Sequence, residues 1–253
     1  MRFPVLAAGA LCAACTLPAT QAAEVCTVLA DAASGNTIVE RGDCRTRVTP
    51  ASTFKIAISL MGYDAGYLKD AHTPLLPFQP GYVDWQPAWR QSADPSRWMR
   101  ESVVWYSQQV TQALGASRFR AYVRQFDYGN QDVAGDAGHD GLTLSWIGSS
   151  LTISPLEQTA FLARLVNRRL GVSPAAYDMT AALTRYGVVD GWEVHGKTGA
   201  SSGLGWYVGW AVKDGRTLTF ARLVRKDDSQ PVAVSTGVWA RDGFLKALPE
   251  LAP

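Results

Sequence analysis

The feature that most constrains this chain is that strand patterns stand at both ends of it. Near the N-terminus, residues 25–29 and 37–40 are rich in apolar and β-branched side chains, with turn-type residues between them. A second pair, residues 206–212 and 217–224, has the same character and is also joined by a short turn. The sequence therefore predicts two β-hairpins that are separated by most of the chain.

Helical patterns occupy the region between the hairpins. Phe119, Tyr122, Val123 and Phe126 recur at the spacing of one helix face, so a helix is predicted over residues 117–126. Ser154-Pro155-Leu156-Glu157 has the form of a capping box with proline at the first helical position. Further helices are predicted from Ser173-Pro174 and over residues 236–248.

Strands from both ends with helices between them indicate an α/β protein of the α+β type. We expect one mainly antiparallel sheet, flanked by helices, that is assembled from the two chain ends and carries an inserted helical lobe. The predicted sheet lobe covers about 24–66 and 192–253, and the helical lobe about 67–191, within a single domain of residues 24–253. The cleft between the two lobes is the expected place for a site.

The first 23 residues have the pattern of a secretory signal peptide. Arg2 is followed by an almost wholly apolar stretch over residues 3–17 and then by small residues over 19–23. The alternative is a buried N-terminal helix, but nothing amphipathic supports it. We expect the mature protein to be exported to the periplasm, and no later stretch reaches membrane-spanning length.

Two cysteines remain after the predicted leader, Cys26 and Cys44, and each stands nine residues from Gly35 at the centre of the first turn. Directly opposed positions on paired strands lie within reach of a disulfide, so this bond is predicted. The alternative is a pair of unbonded buried thiols. An even cysteine pair agrees with an oxidising compartment.

Charge and histidine content restrict the partners that the chain can have. Its 24 Lys and Arg residues nearly balance 22 Asp and Glu residues, which gives no electrostatic reason to expect nucleic acid or a membrane surface as partner. His72, His139 and His195 lack ligand-like spacing, so no metal site is predicted. The oligomeric state cannot be read from the sequence.

Ser52 and Lys55 are the first candidates for chemistry. Thr49 is suited to cap a helix that Pro50 begins, which places Ser52 in the first turn beside free backbone N–H groups. Lys55 is three residues on and shares the same face. A serine hydroxyl becomes a nucleophile when a base takes its proton, and lysine is such a base only when burial keeps it neutral. The alternative is a capping serine beside a solvated lysine.

Three further motifs follow in order along the chain: Ser102-Val103-Val104, Tyr128-Gly129-Asn130 and Lys197-Thr198-Gly199. Each is weak alone. Together with Ser52-x-x-Lys55, and in this order, they resemble the penicillin-recognising serine enzymes, specifically the class D (oxacillinase-type) β-lactamases. Trp146 and Arg241 extend the resemblance over most of the mature chain.

The resemblance implies that Lys55 reacts with carbon dioxide to form a carbamate, N6-carboxylysine, and that no other cofactor is needed. Val104 stands where related serine enzymes carry a polar residue, and an apolar side chain there would keep the Lys55 pocket dry. Trp146 then matches the residue whose indole N–H holds the carbamate. The alternative for Trp146, without the resemblance, is ordinary core packing.

The remaining matches have roles around the substrate. Ser102 would relay a proton to the leaving nitrogen, and its alternative is a simple helix cap. Lys197, Thr198 and Arg241 would bind the substrate carboxylate, although Arg241 alone is equally consistent with a solvated charge on a helix. Gly199 would let the substrate approach the strand, and Ala200 would add its N–H to that of Ser52 as an oxyanion hole. Tyr128-Gly129-Asn130 is expected to support the cleft wall.

The resemblance implies hydrolysis of β-lactam antibiotics in two steps, through an acyl group on Ser52. One alternative is a penicillin-binding peptidase or transpeptidase, against which Val104 and Trp146 argue. A second alternative is a sensor that remains acylated. A class A enzyme would carry a Glu-x-x-Leu-Asn element, which is absent from the sequence. Alanine at position 200, where bulkier residues often follow the motif, leaves the preferred substrate open.

Overall fold

The computed structural model describes residues 23–227 and 234–252. The predicted leader, residues 1–23, lies outside this range except for Ala23, which begins the first strand. The strands are Ala23–Asp31 (β1), Thr37–Gly42 (β2), Gly135–Asp136 (β3), His139–Asp140 (β4), Arg185–Val189 (β5), Trp192–Ser201 (β6), Leu204–Lys213 (β7) and Arg216–Arg225 (β8). The helices are Lys55–Asp64 (α1), Pro95–Glu101 (α2), Val104–Gln125 (α3), Pro155–Val166 (α4), Pro174–Thr184 (α5) and Thr236–Leu251 (α6), and Ala51–Phe54 and Pro87–Trp89 are 3₁₀ turns.

The main sheet has six antiparallel strands in the order β2-β1-β8-β7-β6-β5. Within it, β1, near the N-terminus, pairs with β8, near the C-terminus, over eight matched positions. The expectation of one mainly antiparallel sheet built from both chain ends is therefore confirmed. A separate two-stranded ribbon is formed by β3 and β4.

The second hairpin also forms as predicted. Asp214 and Gly215, both with positive φ (49° and 77°), make the two-residue turn between β7 and β8. Such a turn matches the right-handed twist of its strands, and Gly tolerates the conformation at no steric cost. The sequence did not predict β6, the strand that carries Lys197, and the edge strand β5 lies within the range assigned to the helical lobe.

Helices cover both faces of the sheet. On one face α6 buries Phe244 and Leu248 against β7 and β8, and the rings of Phe220 and Phe244 stack at 3.9 Å. On the other face α4 packs on β1, β7 and β8, and α1 packs against α3 and α5. Full burial of each such aromatic or leucine side chain contributes about 1.5–3 kcal/mol. Among the described residues, no helix is both long and apolar enough to cross a bilayer.

The predicted helices are present, with one interruption. The capping box at the start of α4 is complete: Ser154 Oγ accepts from the Glu157 N–H and Glu157 Oε2 accepts from the Ser154 N–H. The helix predicted over 117–126 is the second half of α3, which breaks at Gly115 because this glycine adopts φ 76° and ψ 156°. The predicted C-terminal helix is α6.

A disulfide joins Cys26 and Cys44, with 5.1 Å between their Cα atoms, as predicted. The geometric reason given for it is wrong, because Cys26 lies opposite Gly42 and the register shifts between Leu29 and Ala30. Cys44 follows the end of β2, where Gly42 takes a positive φ of 78° and lies so close to the Val25 carbonyl that a Cβ would collide with it. That turn brings Cys44 back to β1.

Candidate active site

Ser52 lies in the 3₁₀ turn that leads directly into α1. The predicted cap is wrong, because Thr49 does not bond to this turn. Its hydroxyl instead donates to the Trp146 carbonyl (2.9 Å) and accepts from the Gly148 N–H (2.9 Å). Thr49 therefore links the Ser52 turn to a loop almost a hundred residues away in sequence. No sequence signal indicated this link.

The backbone around Ser52 is held in an uncommon conformation. Ala51 has a positive φ of 49°, which costs a residue with a Cβ about 1 kcal/mol or more. Its N–H donates to the Trp146 carbonyl at 3.0 Å, and Trp206 Nε1 donates to the Thr49 carbonyl at 3.0 Å. These bonds fix the turn, and the Ser52 N–H is left without a partner among the described residues. A free donor at this point is suited to an oxyanion.

Lys55 is fully buried, and its Nζ lies 3.1 Å from the Ser52 hydroxyl. Burial lowers the pKa of this amine well below its ordinary value, because desolvation penalises the charged form, and the positive charge of Lys197 lowers it further. No carboxylate is paired with Lys55 in the described part of the chain. The alternative of a solvated lysine is therefore wrong, and the surroundings favour the neutral amine beside the serine.

The walls of this pocket are apolar. Val104, the first residue of α3, is buried in the same hydrophobic cluster as Phe54 and Trp146. The Phe54 ring lies 5.6 Å from the indole of Trp146 and 4.9 Å from the ring of Tyr128. Lys55 lies within this apolar core without exposed surface, which is the condition that the Ser52-x-x-Lys55 interpretation required.

Trp146 is packed in the core and completely buried, but its indole N–H donates no hydrogen bond among the described residues. Leaving a buried donor unpaired costs about 1–3 kcal/mol. Trp192 and Tyr207 show the same feature elsewhere, so the observation fits an anion bound near Trp146 without requiring one.

Ser102 lies between two helices rather than at the start of one. It ends α2 in the left-handed conformation (φ 59°, ψ 35°), and Val103 precedes α3 without any side-chain cap. The simple-cap alternative is therefore wrong. The Ser102 hydroxyl makes no hydrogen bond within residues 23–227 and 234–252, so it is free to contact a ligand.

Tyr128-Gly129-Asn130 supports the loop that carries Trp146. Asn130 donates to the Ser150 carbonyl (2.7 Å) and accepts from the Thr152 N–H (3.0 Å). Gly129 has φ 55°, and a Cβ there would collide with the Thr152 carbonyl at 2.0 Å. The motif is thus a structural brace, as expected.

Lys197, Thr198, Gly199 and Ala200 lie on β6. Strand β5 pairs with β6 only as far as His195, so from Gly196 onward one edge of β6 has no strand beside it. Such an edge presents backbone groups that an extended ligand can bind. Lys197 is only 5% exposed, and burial followed by the charge of Arg241 lowers its pKa to about 7.

Gly199 is glycine for a reason that the sequence did not reveal. A Cβ at this position would lie 3.0 Å from the Pro50 carbonyl oxygen and 3.1 Å from the Thr53 N atom. The residue therefore allows the Ser52 turn to pack directly on β6. The predicted contact between Gly199 and a substrate stays a prediction, and so does the oxyanion role of Ala200, which is exposed at the end of the strand.

Arg241 projects from α6 toward the same region. Its Nε donates to Asp242 at 2.8 Å, and its guanidinium carbon lies 5.7 Å from the centre of the Tyr186 ring. Arg241, Lys197 and Thr198 line one cavity of about 460 Å³ beside the open edge of β6. The structure thus brings together the three residues expected to bind a carboxylate.

Two comparisons with known proteins agree with this geometry. The penicillin binding protein transpeptidase domain family matches residues 25–239. The β-lactamase OXA-9 of Klebsiella pneumoniae is 46% identical over 245 residues, which cover 89% of this chain and 87% of that protein. The β-lactamase OXA-1 of Escherichia coli is 36% identical over 214 residues, with 80% and 76% covered.

Solved structures give the same result. The crystal structure of the class D β-lactamase OXA-427 superposes with a TM-score of 0.84 at 46% identity. The match covers 89% of this chain and 97% of that one.

Proposed function

This chain belongs to the class D β-lactamases of the penicillin-binding protein transpeptidase family, and on that basis we propose how its residues hydrolyse β-lactams. Ser52 becomes acylated, and Lys55 in carboxylated form is the general base that forms the acyl-enzyme and then releases it. One observation carries the proposal: Lys55 is fully buried, 3.1 Å from the Ser52 hydroxyl and without a carboxylate partner.

Carboxylation of Lys55 is supported by its surroundings. The neutral amine attacks carbon dioxide, an N–C bond forms and one proton is released, which leaves a carbamate anion. Burial keeps the amine neutral, and the apolar walls around Val104 and Phe54 slow the loss of the product to water. The unpaired indole N–H of Trp146 suits that anion as a donor.

Acylation then follows from the positions of Ser52 and its neighbours. Carboxylated Lys55 takes the Ser52 proton as Oγ bonds to the lactam carbonyl carbon, and the negative charge on the carbonyl oxygen is held by the N–H groups of Ser52 and Ala200. The C–N bond of the ring breaks, and Ser102 passes a proton to the nitrogen. Water activated by the same carbamate then cleaves the ester on Ser52.

The substrate carboxylate is bound by Lys197, Thr198 and Arg241, which share one cavity. Arg241 keeps its two terminal nitrogens for this purpose, because only Nε is engaged with Asp242. A planar guanidinium matches a carboxylate at two points, and Thr198 adds a hydroxyl. We further propose that the protein acts in the periplasm, since the Cys26–Cys44 disulfide requires an oxidising compartment.

Steady turnover of a chromogenic cephalosporin, together with intact-mass spectrometry, tests this function. We expect multiple turnovers, a transient acyl adduct on Ser52 and loss of the adduct in the variant Ser52→Ala. A stable adduct without turnover would instead identify a sensor. Turnover of cell-wall peptides at a higher kcat/KM than that of penicillins would identify a peptidase.

The dependence of kcat/KM on pH should report the protonation state of Lys197. Its ammonium is present below the pKa of about 7 and is lost above it. Because that charge binds the substrate carboxylate, kcat/KM should fall as pH rises through 7, by up to about tenfold per unit, mainly through a rise in KM. Initial rates between pH 6 and 9 measure this.

The variant Lys197→Arg is the control, because a guanidinium stays charged throughout this range. Its alkaline loss of kcat/KM should disappear even if its maximum is lower. An unchanged alkaline limb in Lys197→Arg would assign that limb to another group.

A further inference from the structure

The cavity beside the open edge of β6 is larger and more basic than one carboxylate requires. Besides Lys197 and Arg241, it is lined by Arg100 at the end of α2 and by Arg185 at the start of β5. No Asp or Glu side chain lines it in the part of the chain that the structure describes. Four basic residues thus line a space of about 460 Å³.

The nearby acidic residues neutralise this charge only weakly. Arg100 lies 3.3 Å from Glu101, and Arg185 lies 3.5 Å from Glu193. Both pairs are largely exposed, and exposed ion pairs of this kind are screened by solvent and stabilise little. The guanidinium groups of Arg100 and Arg185 are therefore available to a ligand in the cavity.

Tyr207 adds a neutral donor to the same wall. The residue is 1% exposed and lines the cavity, and its hydroxyl has no partner among the described residues. Gly196 on the neighbouring strand leaves room for it, because a Cβ at 196 would lie 2.7 Å from the phenol oxygen. Because this O–H has no acceptor, an anion that reaches it from the cavity would satisfy it.

We propose that this cavity contains a second oxyanion subsite, formed by Arg100, Arg185 and the Tyr207 hydroxyl, beside the place where Lys197, Thr198 and Arg241 bind the lactam carboxylate. The ligand class is a compact oxyanion: a carboxylate, sulfate or phosphate group. It is either a free ion or a second acidic group of a substrate. The inference deepens the proposed function, since it concerns the neighbouring part of the same site.

The lowered pKa of Lys197 is consistent with this arrangement. Without an anion, Lys197 is both desolvated and repelled by Arg241, so its ammonium form is disfavoured. An oxyanion in the cavity stabilises that form and shifts the alkaline limb of kcat/KM to higher pH.

Binding of inorganic phosphate, measured by calorimetry on the whole protein, tests the subsite. We expect saturable binding of one phosphate, weakened about tenfold or more in Arg100→Gln/Arg185→Gln, because each arginine supplies a charge-assisted hydrogen bond. Arg185→Lys should retain part of the affinity. The matched control is Arg120→Gln/Arg169→Gln, which removes two positive charges from exposed positions outside the cavity and should bind phosphate as the unaltered protein does.

Kinetics then distinguish the sources of the anion. For a β-lactam with one carboxylate, phosphate should leave KM nearly unchanged at pH 6, where Lys197 is already protonated. For a β-lactam with a second acidic group, a competitive effect of phosphate and a higher KM in the double variant would identify the substrate group as the ligand. The proposal would be overturned if phosphate competed only with the β-lactam that has one carboxylate. It would also be overturned if all the variants bound phosphate with equal affinity. Hydrolysis of the one-carboxylate substrate tests the proposed function separately.

Discussion

Replacing Lys55 by alanine is expected to lower kcat for a penicillin by about 10³-fold, within the range of 10² to 10⁴ that general acid–base catalysis supplies. Lys55 Nζ is 3.1 Å from the Ser52 hydroxyl, and no other titratable side chain bonds to that serine among the described residues. If the base is the carbamate, the unaltered enzyme should also lose activity in degassed buffer and regain it when bicarbonate is restored. Stopped-flow rates at several bicarbonate concentrations measure both effects.

The control for this change is Lys69→Ala, which removes an exposed lysine just beyond α1 and should leave kcat unchanged. With ¹³C-labelled bicarbonate, a carbamate resonance should be present in the unaltered enzyme and in Lys69→Ala, and absent from Lys55→Ala. Activity that ignores bicarbonate, combined with a large loss in Lys55→Ala, would indicate that the plain amine is the base.

Local patterns predicted a large part of the fold. The two hairpins, the capping box at Ser154 and the C-terminal helix each depend on residues close in sequence, and the structure contains all of them. That the two ends share one sheet followed from one further step, because strands at both ends with helices between them must cover each other's backbone groups. β6 was missed because Gly196 and Gly199 weaken its strand pattern.

Details that depend on distant contacts could not be predicted. The register of β1 and β2 shifts at a bulge, so the right disulfide was predicted for the wrong geometric reason. Thr49 fits a helix cap locally, but the Trp146 carbonyl and the Gly148 N–H compete successfully for its hydroxyl. Position 199 must be glycine because Pro50 and Thr53, which are distant in sequence, pack directly against its backbone.

In the candidate site, too, some residues could be predicted from local motifs and others could not. The four motifs, in their order, identified Ser52, Lys55 and Lys197, which the structure places close enough to influence one another's charge. Arg100 and Arg185 carry no motif, since an arginine at a helix end or a strand start is usually a solvated surface charge. Only the course of β6, whose edge opens beyond His195, brings them to the same cavity.

Because Lys55 and Lys197 are buried, the charge of one basic group changes the pKa of the next. Lys197 lowers the pKa of Lys55, and Arg241 lowers that of Lys197, so the charges of the substrate pocket help to keep the base amine neutral. A neutral Lys55 is the form that can be carboxylated. If the proposed carbamate forms, its negative charge reverses the sign of the interaction, because it attracts Lys197. In the proposed mechanism the same cations thus favour both formation of the carbamate and its retention.

Replacing Trp146 by phenylalanine should isolate the proposed hydrogen bond between its indole N–H and the carbamate. The phenyl ring preserves the aromatic packing against Phe54 and Phe119, and the backbone carbonyl still accepts from Ala51. We expect kcat at ambient bicarbonate to fall about 10²-fold, which corresponds to ~2.7 kcal/mol, the size of one hydrogen bond to a charged group. Raising bicarbonate should restore much of the loss, because mass action compensates for a weaker carbamate.

Trp192→Phe is a matched control for this change. Trp192 is also buried with an unpaired indole N–H, but it lies at the start of β6 in the cluster that packs on α6. Its variant should respond to bicarbonate as the unaltered enzyme does, whereas Trp146→Phe should need a higher concentration for half-maximal activity. Equal bicarbonate dependence in both variants would show that the Trp146 N–H does not hold the carbamate, and would leave that residue with a packing role alone.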